Sequence, residues 1–371
     1  MGQRHTAEPT LVEVELTGGT VGFGETSAGH ATCGETPESI TEHVSLVLAV
    51  ALLGFRGESF PEALEAMDSL PWENTQGRLI PAARAGVELA LLDAAMRFFK
   101  RSAEDVVQWM GLSGFGSPGS TQRARYSGWP WSSDPRATIA QLRKMYWSGA
   151  RDFKLSVGSA GDVEQVRAAI GYLSRSIARG RSTLRVDAHG AWSVKQAADW
   201  LAETSDLPIA AVEQPLPRGQ ESGLVELRER FSVPFVHDES LVTEADARQL
   251  IALGVADLFC IQMIKCGGFL SSLRIAGIAR KHNVGIELGC GLGDTSVLTA
   301  IGTRFLSVCP GIRWIEGRIG RESRRGDIAP EGLRFRVGGR PLRLEGSGWG
   351  IALDMARLDA FRIADPIVLH L

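Results

Sequence analysis

The chain lacks several of the features that sort a protein into a class at once. Its five cysteines (Cys33, Cys260, Cys266, Cys290 and Cys309) form no Cys-x-x-Cys pair and are odd in number, which speaks against a disulfide framework. Reduced thiols in a cytoplasmic setting are expected. Charge of one sign is not in excess: 40 basic residues face 43 acidic ones, a formal net charge of −3, so there is no electrostatic footprint for nucleic acid. Long apolar runs are also missing. The stretch SLVLAVALLGF at 45–55 is too short to span a bilayer and lies too far in for a signal peptide, so it reads as a buried helix and no membrane partner is expected. Small molecules remain as the expected partners.

At 371 residues the chain exceeds one ordinary domain, which predicts a barrel of typical size plus a second unit of roughly 100 to 150 residues. The opening LVEVELTGGTVGFGET alternates in the manner of two strands joined at Gly18 and Gly19. Two helical stretches follow, at 37–53 with Thr36-Pro37-Glu38 as its start, and at 81–99. Strands followed by helices make a small α+β unit, placed at 1–122. From 123 to 333 short apolar strands alternate with amphipathic helices. The strand candidates are 124–129, 151–157, 183–188, 209–213, 234–238, 257–262 and 284–288, with 312–317 as a weaker eighth. Helices are expected at 162–178, 194–204, 243–253 and 268–282. That rhythm is one of a (β/α) barrel. The segment 334–371 no longer alternates and is expected to return to the first unit.

Three acidic residues each close an apolar run: Asp187 in LRVDAHG, Glu213 in IAAVEQPLP and Asp238 in VPFVHDES. Their spacing is about one strand plus one helix, so their carboxylates are expected to converge at one end of a parallel barrel. Three hard oxygen donors suit Mg²⁺, although a single acid at a strand end often only caps the next helix or pairs with a lysine. Two lysines bracket the trio, Lys154 in RDFKLSVG and Lys265 in LFCIQMIKCGG.

The order Lys154, Asp187, Glu213, Asp238, Lys265, in the phrases KLSVG, VDAHGAWS, VEQPLP, HDES and KCGG, resembles the enolase superfamily, specifically its mandelate racemase/muconate-lactonizing-enzyme subgroup. VGFGET near the start and ARAGVELALLDA before the barrel agree with it. The resemblance implies a modified (β/α)7β TIM-like barrel with an α+β capping domain formed by the N-terminal segment and the C-terminal tail. It also implies magnesium, a small carboxylate substrate, a homo-oligomer, and specificity loops at Gly22 to Glu35 and Gly54 to Ser59.

The chemistry so implied is removal of a proton α to a carboxylate through a metal-stabilised enolate, a Lewis-acid task in a dry site. It would be completed as syn β-elimination (dehydration) or cycloisomerisation, with a lyase or isomerase as the result. Lys265 is expected as the acid/base, its pKa drawn towards neutrality by nearby cations, or alternatively as a structural partner of one of the acids. The subgroup's usual Lys-x-Lys is here Lys154-Leu155-Ser156. Alternate residues share a strand face, so Lys154 and Ser156 both point inward, and a serine has no useful basicity without a partner base.

Losing one lysine weighs against two-base racemisation, yet a racemase or epimerase of an N-substituted amino acid stays open. So does a carboxylate-binding barrel that has lost turnover. Asp294 in ELGCGLGDTS stands where the subgroup usually has Glu and is a candidate for the site or for a capping role. Glu316 in IRWIEG is a candidate substrate-binding residue, where dipeptide epimerases carry Asp-x-Asp. Trp129 and Trp131 in YSGWPWSSD are candidates for an aromatic lining or for interior packing. His189 reads as a loop residue near the site, His237 as pointing away from it and His282 as a solvent-facing helix end. Gly267 and Gly268 read as a tight turn.

Overall fold

A computed structural model describes residues 8–28, 34–116, 125–130, 132, 134–290, 294–317, 327–329 and 344–371. The alternating first segment forms an antiparallel hairpin, β1 (Pro9–Glu15) and β2 (Val21–Ser27), with Pro9 opposite Ser27 and Glu15 opposite Val21. Helix α1 (Pro37–His43) starts at Thr36, whose hydroxyl accepts from the Ser39 amide while Ser39 returns a bond to the Thr36 amide. It runs through a π-helical turn (Val44–Leu48) into α2 (Ala49–Ala51), followed by α3 (Phe60–Asp68), α4 (Pro81–Phe98) and α5 (Ala103–Trp109). The run 45–55 is only half buried, contrary to the expected buried helix. Leu48, Ala49 and Leu52 face the core, whereas Leu46, Val50, Leu53 and Phe55 face outward, because helical spacing divides the run between two faces.

Helix α4 is buried on nearly all sides, its polar Arg84, Glu88 and Asp93 included. The hairpin lies against it so closely that a Cβ on Gly22 would collide with the backbone of Ala90 and Ala94, and one on Gly24 with that of Gly86 and Ala90. The glycines of VGFGET are therefore a packing requirement. They also place Gly22–Ser27 in a strand, which corrects the expected specificity loop: its first half is β2, residues 29–33 lie outside the described residues, and Glu35 is buried, accepting from the Ala82 and Ala83 amides.

The rest builds the barrel. Between α6 (Pro135–Trp147), α7 (Asp162–Ala178), α8 (Val194–Glu203), α9 (Gly223–Arg230), α10 (Glu244–Ala252), α11 (Phe269–Lys281) and α12 (Ser296–Val308) run the parallel strands β3 (Asp152–Ser156), β4 (Thr183–Asp187), β5 (Val212–Glu213), β6 (Phe235–His237), β7 (Leu258–Ile261), β8 (Gly285–Leu288) and β9 (Ile312–Ile315). They pair in sequence order. Of the strand expected at 124–129, the described residues 125–129 make two bridges, Tyr126 to Ile315 and Gly128 to Phe153, and residue 124 lies outside the described residues. Even so, the segment closes the ring: the Ser127 amide donates to Ile315 O (2.7 Å), the Gly128 amide to Asp152 O (2.7 Å), and the Lys154 amide to Gly128 O (3.0 Å). Pro130 then ends the ladder, having no N–H to give. The fold is thus a modified (β/α)7β TIM-like barrel with an α+β cap.

The C-terminal segment returns to the cap. The buried Trp349 donates its amide to Asp93 (2.7 Å) and its indole N–H to Phe23 O (3.1 Å), and Arg97 reaches Ile351 O (3.0 Å). Helix α13 (Met355–Phe361) follows. Among the described residues no helix is long and apolar enough to cross a membrane, and none of the four described cysteines is in a disulfide.

Candidate active site

Strand alternation decides which side chains enter the barrel. Register sets Ser156 beside Asp187 and Asp187 beside Glu213, so three inward residues stand at one level where their strands end. Asp238 follows one residue after β6.

These groups form one buried ionic system. The Lys154 ammonium lies 2.9 Å from Asp187, 3.1 Å from Glu213 and 2.5 Å from Glu316. Arg185, one turn of the alternation below Asp187, pairs with Glu287 and with Glu316 (3.3 Å). Burial alone would pull the Lys154 pKa down, but Asp187, Glu213 and Glu316 outweigh it and hold the ammonium well above the ordinary lysine range. Glu213 is driven well above the usual carboxylate range by burial and by Asp187. Burial likewise lifts Glu287 to about 8, against the pull of Arg185. In Glu316 the two cations overcome burial and hold its pKa low.

On the far side, Lys265 is 3.0 Å from the Asp238 carboxylate and donates to the carbonyls of Asp238 (2.7 Å), Leu241 (2.6 Å) and Cys260 (3.0 Å). Only an ammonium satisfies that many acceptors. Its pKa is raised: burial acts downward, and Asp238 more than reverses it.

The trio is brought together only in part. Oxygens of Glu213 and Asp238 share a group, together with the Cys260 sulfur, in which all ligand atoms lie within 4.8 Å of one another; Glu213, Glu287 and Glu316 make a second such group. Asp187 belongs to neither and is joined to Glu213 through Lys154. The donor set nevertheless fits a divalent cation. Five interior carboxyl groups (Asp187, Glu213, Asp238, Glu287, Glu316) face three interior cations (Lys154, Arg185, Lys265), a surplus of acidic groups in a water-poor place. Burial, helped by the neighbouring carboxylates, is what lifts Glu213 and Glu287.

Ser156 is exposed at the mouth and has the partner that a serine needs: its Oγ is 3.4 Å from His189 Nε2. His189, in the left-handed backbone region at φ 48°, has Nδ1 3.3 Å from Asp187 and 3.7 Å from Glu239. Its ring stacks on Trp129 at 6.3 Å. The Lys154 ammonium sits 4.6 Å over the same indole, so Trp129 faces the interior. Trp131 lies outside the described residues. Asp294 is half-buried, one residue before the α12 cap Thr295. It helps raise the Tyr126 pKa, after burial and Cys290. His237 is buried, its pKa lowered by burial, and its Nε2 meets Val255 O at 2.9 Å.

The turn carrying Lys265 is held from the cap. Arg84 of α4 donates to Gly267 O and to Leu70 O (3.2 Å). Glu88 accepts from the Phe269 (3.0 Å) and Leu270 (2.8 Å) amides, closing the N-terminus of α11. Gly267, at φ 74°, lies against the Trp72 ring, where a Cβ would collide. Arg84, Glu88, Arg185, Glu287, Cys260 and Gln262 are absent from the sequence-based site. For Cys260 the signal was available, since it stands two residues from Leu258 on one face of β7.

An acid-lined parallel barrel closed by an N-terminal α+β cap defines a small class of enzymes. The match to "Enolase C-terminal domain-like" covers residues 137–357, and that to "Mandelate racemase / muconate lactonizing enzyme, N-terminal domain" covers 1–111. The chain belongs to this family and is an enolase-superfamily enzyme of the muconate-lactonizing type. It is 31% identical over 310 residues to muconate cycloisomerase 1 of Pseudomonas putida, covering 82% of this chain and 76% of that protein. It is 25% identical to a hydrophobic dipeptide epimerase of Enterococcus faecalis, over 80% of this chain and 78% of the other. A solved muconate lactonizing enzyme superposes with a TM-score of 0.77 at 27% identity, covering 95% and 94% of the two chains. The N-succinyl Arg/Lys racemase of Bacillus cereus, at 21% identity, shares the fold with a TM-score of 0.80 over 96% and 90%.

Proposed function

We propose that the protein is a magnesium-dependent isomerase or lyase that moves a proton at the carbon α to a substrate carboxylate, on one face only, and that its reaction is a cycloisomerisation. The observation that carries this reading is the state of the two lysines. Lys154 is enclosed by Asp187, Glu213 and Glu316, while Lys265 is an ammonium held by three carbonyls beside Asp238. A ring closure onto a double bond conjugated to a carboxylate leaves a carbanion at the α carbon, which needs a proton donor. An ammonium at 265 is that donor, and the same group in its amine form would serve a syn β-elimination.

Asp187, Glu213 and Asp238 are the residues that would hold Mg²⁺, whose part is Lewis acidity towards the substrate carboxylate. Ser156 stands where a second lysine would serve the opposite face. Glu316 anchors Lys154 and Arg185, and Trp129 presents an aromatic wall to the substrate. The resemblance to muconate cycloisomerases supports the reading.

Incubation in D₂O with Mg²⁺ and a panel of unsaturated and β-hydroxy carboxylic acids, followed by mass spectrometry and chiral analysis, tests it. Ring closure with one deuterium taken up at the α carbon per turnover, abolished in Lys265→Ala, is the expected result; loss of water with no deuterium taken up would establish a β-elimination instead. Exchange with inversion would establish an epimerase instead, and silence across the panel would mark a barrel that only binds.

A further inference from the structure

Gln214, the residue after Glu213, touches the backbone of all three loops that follow the acidic strand ends. Its main-chain amide donates to Val236 O of β6 (2.9 Å), and its main-chain carbonyl accepts from the Gly190 amide (2.7 Å), in the loop just past Asp187. Its side-chain oxygen accepts from the amides of Asp238 (3.1 Å) and Ser240 (3.2 Å). The backbone of Gln214 lies in the left-handed region at φ 37°, an unfavourable place for a residue with a Cβ, and such strain persists only where the surroundings enforce it. These four bonds are what enforces it.

A buried chain of hydrogen bonds fixes which way the Gln214 amide is turned. Glu221 Oε1 accepts from the Gly219 amide (2.8 Å) and from the Ser240 hydroxyl (2.6 Å). The single hydroxyl proton of Ser240 is spent there, so its Oγ is an acceptor towards Gln214 Nε2 (2.7 Å), whose other hydrogen goes to Leu216 O (2.7 Å). The Gln214 oxygen is thereby left to face the Asp238 and Ser240 amides. Both hydrogens and both lone pairs of the side-chain amide are used, and Gln214, Ser240 and Glu221 are only 3%, 4% and 9% exposed, so water cannot take over these bonds. A carboxylate at this position would supply the oxygen and neither hydrogen.

We infer that Gln214 is a positioning residue for the cation site: backed by Ser240 and Glu221, it sets the placement of Asp187, Glu213 and Asp238 relative to one another. The inference rests on the cation-binding reading above and deepens it. All polar atoms of Gln214 are engaged by protein groups, so it acts through the three loops and not as a ligand. Glu239 stands between the two amides that Gln214 holds, and the same chain therefore also places the carboxylate that lies 3.7 Å from His189.

The test is calorimetric titration of the folded full chain with Mn²⁺. Gln214→Glu and Ser240→Ala should each lose at least about tenfold in Mn²⁺ affinity, the lower end of what losing an outer partner costs a metal site. Glu221→Gln, which keeps the accepting oxygen, should bind Mn²⁺ as the parent does. Ser176→Ala removes a buried bond to Ser182 (2.8 Å) at the opposite end of β4, and should lower the melting temperature without weakening Mn²⁺ binding. Affinity unchanged in Gln214→Glu and Ser240→Ala, whatever their loss of stability, overturns the positioning role and leaves the cation site standing. Affinity lost equally in Ser176→Ala overturns it too, since any loosening of the barrel would then suffice. A parent chain that binds no Mn²⁺ overturns the cation site and this inference with it. If Gln214→Glu fails to fold, Ser240→Ala, which leaves Gln214 in place, decides the matter.

Discussion

Glu25 and Thr295 join the cap to the barrel: the Glu25 carboxylate accepts from the Thr295 amide at 2.9 Å and from its hydroxyl at 2.6 Å, and then from the Leu298 amide at 3.1 Å. Burial lifts the Glu25 pKa from 4.5 to about 7, more than these bonds lower it. An acid whose pKa is higher in the folded state binds more protons there. Its contribution is therefore greatest below about pH 4.5 and is lost as pH rises towards 7. The shift corresponds to about 3 kcal/mol. Urea melts of Glu25→Gln between pH 4.5 and 7.5 should lack that downward limb, and a limb identical to the parent's would refute the assignment.

Divalent cation should stabilise the fold by binding the surplus of acidic groups in the barrel in their ionised form. At a hundred times the dissociation constant the gain is about 2.7 kcal/mol. Thermal melts with increasing Mg²⁺ should shift upward and return on chelation; no shift would argue against an interior cation site.

Removing the Lys154 ammonium leaves Asp187, Glu213 and Glu316 without their shared counter-charge. Lys154→Met should cost about 3–5 kcal/mol, as breaking a buried pair does. Added Mg²⁺ should recover part of that loss, because the same carboxylates then face a cation. Chemical denaturation with and without Mg²⁺ measures both numbers.

Glu88→Ala deprives the Phe269 and Leu270 amides of their acceptor. Each unsatisfied buried group costs about 1–3 kcal/mol, so a loss of about 2–6 kcal/mol is expected for the two. Hydrogen exchange at residues 266–270 should quicken more than elsewhere in the barrel, since this turn loses its brace. Uniform quickening would mean that Glu88 supports the fold without specifically holding the Lys265 segment.

Much of this architecture was legible in the sequence because local signals agreed with tertiary ones. The helix expected at 162–178 is Asp162–Ala178, and β5, only two residues long, was still visible as an apolar run closing on Glu213. The first barrel strand was over-read, since among residues 125–129 pairing is confined to bridges to both neighbours. Asp187, Glu213, Asp238 and Lys265 announce themselves as charges ending apolar runs. Their arrangement does not follow from that pattern, because the ammonium of Lys154 decides that Asp187 and Glu213 meet through it. Arg84 and Glu88 carry no local signal at all: they read as polar breaks in an apolar helix, and the backbone that they hold lies as far as 183 residues away.

Helix α4 is pressed on one side by the glycines of the hairpin and grips on the other the turn that presents Lys265. A methyl group added at position 22 or 24 would push the helix, and through Arg84 and Glu88 the displacement would be felt at the ammonium. The inner surface of the hairpin is consequently frozen in size, and any adaptation of this scaffold to a bulkier or slimmer molecule must be made in its outward side chains and loops.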